Sequence, residues 1–432
     1  MGSYDLFSRN WCDPSVPGFL EARKVPNSRS DIGGCKAGPE ELSRFPRSLP
    51  NVDLERETRM SPKERFLASV SHLEPDRIPL DVMHFQGEIL KQLKNRFHVD
   101  TEEEVYLKIG IDFRKGDHWI CLPPEYYSGP LPEVAFTAPN QNVSYWGTKE
   151  KVSSATLSHG IPFGDTIADR PLHKASSIKD VEEYPWPNAD HFDYQAMTNE
   201  CKEHQPLVVR VHAGAIFCRI CRLAGMETTL ENLLLRPRII EAMTERITDF
   251  YYEAYKRFFS AGSQYVDIFS FWDDVATDRG LFFNLKLWRR FFKKPLAKMF
   301  SLAKDFNLKV QYHCCGAMNE LIPDLVEIGM DILEPCQFHL PGMDPKTLKR
   351  EFGQHLTFYG GINSQRTLPF GTPEEVRQEV KERIDLVGKG GGYILTGDHS
   401  IEPDVPIDNI LAMYDEAKSY SEVQDGGGFG TS

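Results

Sequence analysis

Short apolar runs recur along the chain with longer amphipathic stretches between them. The runs are IPLDVMHF at 78–85, LVVRVHA at 207–213, YVDIFSF at 265–271, LKVQYHC at 308–314, MDILEPC at 330–336, LTFYGGI at 356–362 and GGYILTG at 391–397. Each has strand length and is enriched in β-branched or aromatic residues, and the stretches between carry helical patterns. Strand, helix and strand in succession imply parallel pairing. An eighth strand is expected between Ile109 and Pro187, a weakly patterned span in which Trp146-Gly147 and proline-rich loops suggest an insertion with hairpins. The fold class expected is therefore α/β, a single (β/α)8 TIM barrel. No Gly-x-Gly-x-x-Gly turn follows the first run, which argues against a dinucleotide-binding sheet. Leu285 to Asp305 illustrates the helical pattern, with Leu287, Phe291, Phe292, Leu296 and Phe300 forming one apolar stripe.

The periodic region begins at Ser61-Pro62-Lys63-Glu64, where Ser at the cap, Pro at the first helical position and Glu at the third form a capping box. Residues 1–60 are rich in Pro, Gly, Ser and charge without either period and are read as an irregular arm. The barrel is assigned to 61–421, and the Gly-rich residues 422–432 to a flexible tail.

Of 432 residues, 41% are apolar and 26% charged, with a net charge of −13, so no basic surface for nucleic acid or anionic membrane is expected. No apolar run approaches the ~20 residues that span a bilayer, and the N-terminus has neither a signal-peptide core nor the look of a transit peptide. A cytoplasmic location is expected. Nine cysteines, two of them adjacent, do not form a secreted disulfide framework and are expected as reduced thiols, some of them candidates for metal. Cys218 and Cys221 lack a second such pair and are read as structural. Gly390-Gly391-Gly392 precedes its strand and is read as a turn.

In a barrel of this kind catalytic groups come from the C-terminal ends of the strands. Those ends carry His84, His212, Asp273-Asp274, His313-Cys314-Cys315, Cys336-Gln337, Gly360-Gly361 and Asp398-His399. His313 and Cys315 lie two apart, so both face one way in an extended segment while Cys314 faces the other; imidazole and thiolate together suit zinc. Cys336, His399 and Asp398 are candidates for a third ligand. The acids Asp273 and Asp274 could repel each other and supply a general acid or base, or one of them could cap the next helix. With His84 they are the catalytic candidates, and His212, Gln337, Gly361 and Asp398 complete the mouth as candidate substrate contacts.

Five ordered blocks resemble the uroporphyrinogen decarboxylase superfamily, which includes corrinoid-dependent methyltransferases. They are SPKERFLASVSHLEPDRIPLD, WDDVATDRGLFFNLKLWRRFFKKPLAKM, YHCCGAMNELIPDLVEIGMDILEPCQ, LTFYGGINSQRTLPFGTPEEVRQEVKERI and GGGYILTGDHSIEPDVPIDNILAMYDEAK, spanning about Ser61 to Tyr420. Porphyrinogen decarboxylases carry Arg-Gln-Ala-Gly-Arg after the first strand; here Met83-His84-Phe85-Gln86-Gly87 stands there, so a tetrapyrrole octa-acid is not the expected substrate. The methyltransferase branch holds zinc through His-x-Cys and a distant Cys. The resemblance therefore implies His313 and Cys315 as ligands, with His399 at the place of the distant Cys and Cys336 as the alternative. It also implies a small substrate, a corrinoid supplied by a separate protein, and pairing as a homodimer. A decarboxylase of a small carboxylic acid is the alternative activity, and a non-catalytic binding barrel is a third.

Overall fold

The structure is a computed structural model that describes residues 60–115, 122–132, 141–151 and 167–425. The arm up to residue 59 and the tail beyond Asp425 lie outside the described residues.

Seven strands form one curled parallel sheet: β1 (Phe113–Lys115), β2 (Val208–Ala213), β3 (Ile268–Trp272), β4 (Lys309–His313), β5 (Ile332–Cys336), β6 (Thr357–Ile362) and β7 (Tyr393–Gly397). Their order in the sheet is their order in the chain, and every pairing is parallel. Six of the seven apolar runs become these strands, and β1 is the strand expected within 109–187. The same span holds a three-stranded antiparallel sheet, Gln141–Val143, Lys149–Lys151 and Ile167–Asp169, whose first hairpin turns around Trp146-Gly147.

The run at 78–85 differs from expectation. It makes isolated bridges, Leu80 to Leu395 and Phe85 to Ile401, rather than a strand. Pro79 has no N–H to donate, and the Leu80 N–H goes to the Asp112 carboxylate instead of a neighbouring backbone. The segment nonetheless bonds to both edges of the sheet. Asp81 N donates to Leu395 O and Leu395 N to Pro79 O on the β7 side, while Asp112 N donates to Leu80 O next to β1.

Alternation along the strands sorts the inward positions into levels. Val208, Ile268, Ile332, Tyr359 and Ile394 form one buried apolar cluster with Phe66, Val70, Met83 and Phe113. Two residues further along β2, β3, β5 and β7 the inward positions become Arg210, Ser270, Glu334 and Thr396, all buried. Two further still along β2, β3 and β7 stand His212, Trp272 and Asp398, and His313 on β4 is in register with both Trp272 and Glu334. The sheet's other face packs on helices through a separate, larger apolar cluster. Its helices include Pro237–Gly262 and the continuous helical stretch from Leu285 to Asp305. In that stretch Phe291, Phe292, Leu296 and Phe300 are buried as the stripe predicts, and a π-turn at Arg289–Lys293 precedes Pro295, whose ring and missing N–H a regular α-turn could not accommodate.

At the opposite end of the strands from His313, Arg65 and Arg77 converge on Asp112. Arg65 Nη1 donates to Asp112 Oδ1 at 2.7 Å and Arg77 Nη1 to Asp112 Oδ2 at 2.8 Å, and Arg65 also grips Asp76. The network ties the capped helix Pro62–Val70, with both arms of its capping box made, to the start of β1. Asp112→Asn leaves two partly or fully buried guanidiniums short of a charge, so a loss of roughly 3 kcal/mol in urea-unfolding stability is expected, with no change in bound metal. A stability equal to the parent protein would show that the network carries no net weight.

Candidate active site

β4 ends at His313, and the chain stays extended long enough for Cys315 to point the same way. Cys314 faces the helical layer, buried there, and its sulfur accepts Val275 N at 3.4 Å. The next strand end, after β3, supplies Asp274. Its Oδ1 accepts Cys315 N at 2.8 Å and lies 3.8 Å from His313 Nε2, which is 3.5 Å from Cys315 Sγ. One ligand atom each of Asp274, His313 and Cys315 thus falls within a 4.8 Å cluster. The turn that follows is held closed: Gly316 donates its N–H to Gln337 Oε1 at 2.8 Å. Gly316 adopts φ +112°, and a Cβ there would meet Thr277 O at 2.7 Å, so only glycine fits.

The imidazole's other nitrogen is engaged from β5, whose Glu334 is in register with His313. Glu334 Oε2 lies 3.7 Å from His313 Nδ1 and also accepts Gln311 Nε2. A proton on Nδ1 facing this carboxylate leaves Nε2 with its lone pair toward Cys315 and Asp274, the tautomer a metal ligand requires. Burial disfavours the charged imidazole, but the hydrogen bond and charge of Glu334, with the charge of Asp274, outweigh it and raise the His313 pKa. Glu334 is held below the usual carboxylate range because His313 and Arg210 overcome the cost of its burial. Burial, then the charge of Asp274, pushes the Cys315 thiol well above its ordinary value, and burial likewise raises Asp274. Thiolate and carboxylate so placed repel each other as anions, and the imidazole lone pair faces both. A divalent cation between them removes that conflict, so the donor set fits zinc.

The paired acids separate in role. Asp273 is buried and accepts the N–H groups of Ile216 at 3.1 Å and of Phe217 and Cys218 at 2.8 Å, at the start of the helix Phe217–Ala224. Burial pushes it up to about 7 against those three donors. Asp273 is a cap; Asp274 faces the site.

Other expected residues stand around the same mouth, outside the three-residue cluster. His399 is half-buried after β7, His212 is half-buried near the end of β2, and His84 is half-buried in the bridged segment 78–85, where its carbonyl accepts Ile401 N. Cys336 is buried with its thiol toward Leu333 O, 3.5 Å away. Gln337 is occupied by the Gly316 turn, and Gly361, at φ +96°, offers its carbonyl to Arg383 Nε at 3.0 Å. Asp398 is buried and accepts both N and Oγ of Ser364, at 2.9 and 2.6 Å. Two residues escaped the sequence reading. Glu334 could have been found by counting two positions from Ile332 along an inward face. Arg210 could not, because its significance lies in Asp81, 2.8 Å away in space and distant in sequence.

The fold and site define an α/β protein with a parallel sheet that gathers a His, Cys and Asp cluster able to hold a metal ion at the C-terminal ends of its strands. The chain belongs to the uroporphyrinogen decarboxylase (URO-D) family, whose model matches residues 168–420. Among solved structures it is similar to a methyltransferase from Methanosarcina mazei, at 16% identity and a TM-score of 0.56, covering 84% of this chain and 99% of that one. It is also similar to a B12-independent methionine synthase from Shewanella in complex with selenomethionine, at 11% identity and a TM-score of 0.39, over 82% of this chain and 95% of that one. No curated protein matches the sequence. Among the described residues no helix is long and apolar enough to cross a membrane.

Two outcomes are expected from this geometry. Asp274→Asn weakens zinc binding by about 10- to 100-fold while Asp273→Asn leaves it intact and lowers the melting temperature, measured by competition with a chelating dye and by thermal unfolding. Because Cys315, with its raised pKa, must give up a proton to bind metal, affinity should climb about tenfold per pH unit between pH 6 and 8, and more steeply where His313 is also protonated. A flat profile would remove Cys315 from the ligand set.

Proposed function

We propose that the chain is a zinc-dependent, methyltransferase-like enzyme that acts on a small substrate, with the methyl group delivered by a corrinoid on a separate protein. The single observation that carries the reading is the cluster of Asp274, His313 and Cys315, oriented by Glu334, at the C-terminal end of β3 and β4. These three would hold the metal, Asp274 taking the place that the sequence pattern gave to His399 or Cys336. Zinc, when bound, lowers the pKa of a coordinated thiol, alcohol or water so that a nucleophile exists near neutral pH.

The chain's own residues do the rest. Glu334 fixes the His313 tautomer, the Gly316–Gln337 clamp sets the direction of Cys315, and His84, His212 and His399 line the mouth where substrate enters. Closure of the sheet into a full (β/α)8 barrel is part of the same proposal, supported by the bonds from Pro79, Leu80 and Asp81 to both sheet edges. The family resemblance supports an enzyme of cytoplasmic type that pairs as a homodimer.

Protein purified without oxygen should carry about one zinc per chain, absent from His313→Ala. Zinc-loaded protein should demethylate free methylcobalamin in the presence of a small thiol, followed by the change in cobalamin absorbance, without releasing CO2 from candidate acids. CO2 release by metal-free protein would replace this reading with a decarboxylase.

A further inference from the structure

The loop that follows β5 carries His339, whose side chain is 20% exposed, at the same end of the strands as the metal-ready cluster. Its Nδ1 lies 3.4 Å from Oδ2 of Asp398, which is 1% exposed at the end of β7. Asp398 is set rigidly: Ser364 binds Oδ1 through both its N–H and its hydroxyl. That leaves Oδ2, which has no hydrogen bond within normal limits among the described residues, aimed at the imidazole. A buried carboxylate with one oxygen saturated and the other turned to a histidine is how a protein fixes an imidazole's tautomer and orientation. The loop is also fastened to the site. Gln337, two residues before His339, grips the Gly316 turn directly after Cys315, and the negative charge of Asp398 is felt at Cys315.

We propose that His339 is the proton-transfer residue of this site and Asp398 its positioning partner. The proposal rests on the reading above, in which a thiol, alcohol or water attacks a methyl carbon. The X–H bond of that nucleophile breaks with its electron pair staying on X, and the proton passes to His339 Nε2 while Nδ1–H faces Asp398 Oδ2. The group that gave up the methyl keeps its bonding pair, so atoms and electrons balance without a further reactant. Solvent access lets His339 return the proton to bulk water between turnovers.

The other charged groups at this corner are already engaged. Arg383, from the helix Pro373–Arg383, lies over the Phe338 ring at 5.4 Å and pairs with Glu379 at 3.0 Å. Asp344 caps the helix Pro345–Phe352, and Cys336 is a buried thiol held protonated by its surroundings. Asp398 is therefore the charged group paired with His339 at this corner.

The test uses the full chain. Nuclear magnetic resonance of histidine-labelled protein, without metal, compares the ring N–H signals of His339 in the parent and in Asp398→Asn. The Nδ1–H signal of His339, held against the Asp398 carboxylate in the parent, is expected to be lost to exchange with water in Asp398→Asn; an unchanged His339 signal overturns the pairing whatever the activity. Turnover of methylcobalamin with 2-mercaptoethanol by zinc-loaded protein is the second reading. His339→Gln should lose about 100-fold in kcat with little change in KM or zinc content, losing the acidic limb of the pH profile, and added imidazole should restore part of the rate. Parent-like kcat and pH profile in His339→Gln overturn the proposal. A parent protein that binds zinc but never turns over overturns the methyl-transfer reading, while the resonance experiment still decides the pair.

Discussion

The interior of the sheet is organised around a charge that has nowhere else to go. Arg210 is fully buried in the middle level of inward side chains, and its guanidinium meets Asp81 at 2.8 Å and stands over the rings of Tyr359 and Phe113. Asp81 in turn accepts Tyr359 Oη at 2.9 Å and Val82 N at 2.7 Å. Removing either ion would strand the other in a low-dielectric interior, which costs more than the pair itself contributes. The pair therefore acts as a register pin. It fixes the segment around Asp81, which makes only isolated bridges, against β2 and β6, and so determines where that segment meets both sheet edges.

The same arginine reaches the chemistry. Its charge helps to keep Glu334 ionised, and ionised Glu334 turns His313 so that Nε2 faces Cys315 and Asp274. Charges thus alternate from Asp81 through Arg210 and Glu334 to His313 and on to Asp274. The alternation explains how so many ionisable groups tolerate burial together: each faces an opposite neighbour. It breaks only at Cys315 and Asp274, where two potential anions adjoin. A break in an otherwise compensated chain marks the point at which a cation from outside fits.

Much of this was legible in the sequence because it depends on local periodicity. Six apolar runs became strands, the Ser61 capping box formed as written, and the two-residue spacing of His313 and Cys315 sent both side chains inward with Cys314 outward. What escaped depends on three-dimensional pairing. The run at 78–85 has strand composition, yet Pro79 and the Asp112 side chain divert its backbone partners. Asp273 and Asp274 are indistinguishable by type, and only the position of the helix Phe217–Ala224 makes one a cap and the other a site residue. Likewise His399 follows the family's spacing, but proximity favours Asp274, contributed by the neighbouring strand end, to join His313 and Cys315.

The proposed exchange of ligand type would bear on reactivity. A carboxylate is a harder donor than a second thiolate and places less electron density on a bound cation, so a His, Cys and Asp set holds a more electrophilic metal than a His and two Cys set. A more electrophilic metal acidifies its bound group more strongly but makes the resulting anion a weaker nucleophile. Under that proposal a bound thiol, alcohol or water would lose its proton readily, and the burden of catalysis would fall on moving that proton away from the site.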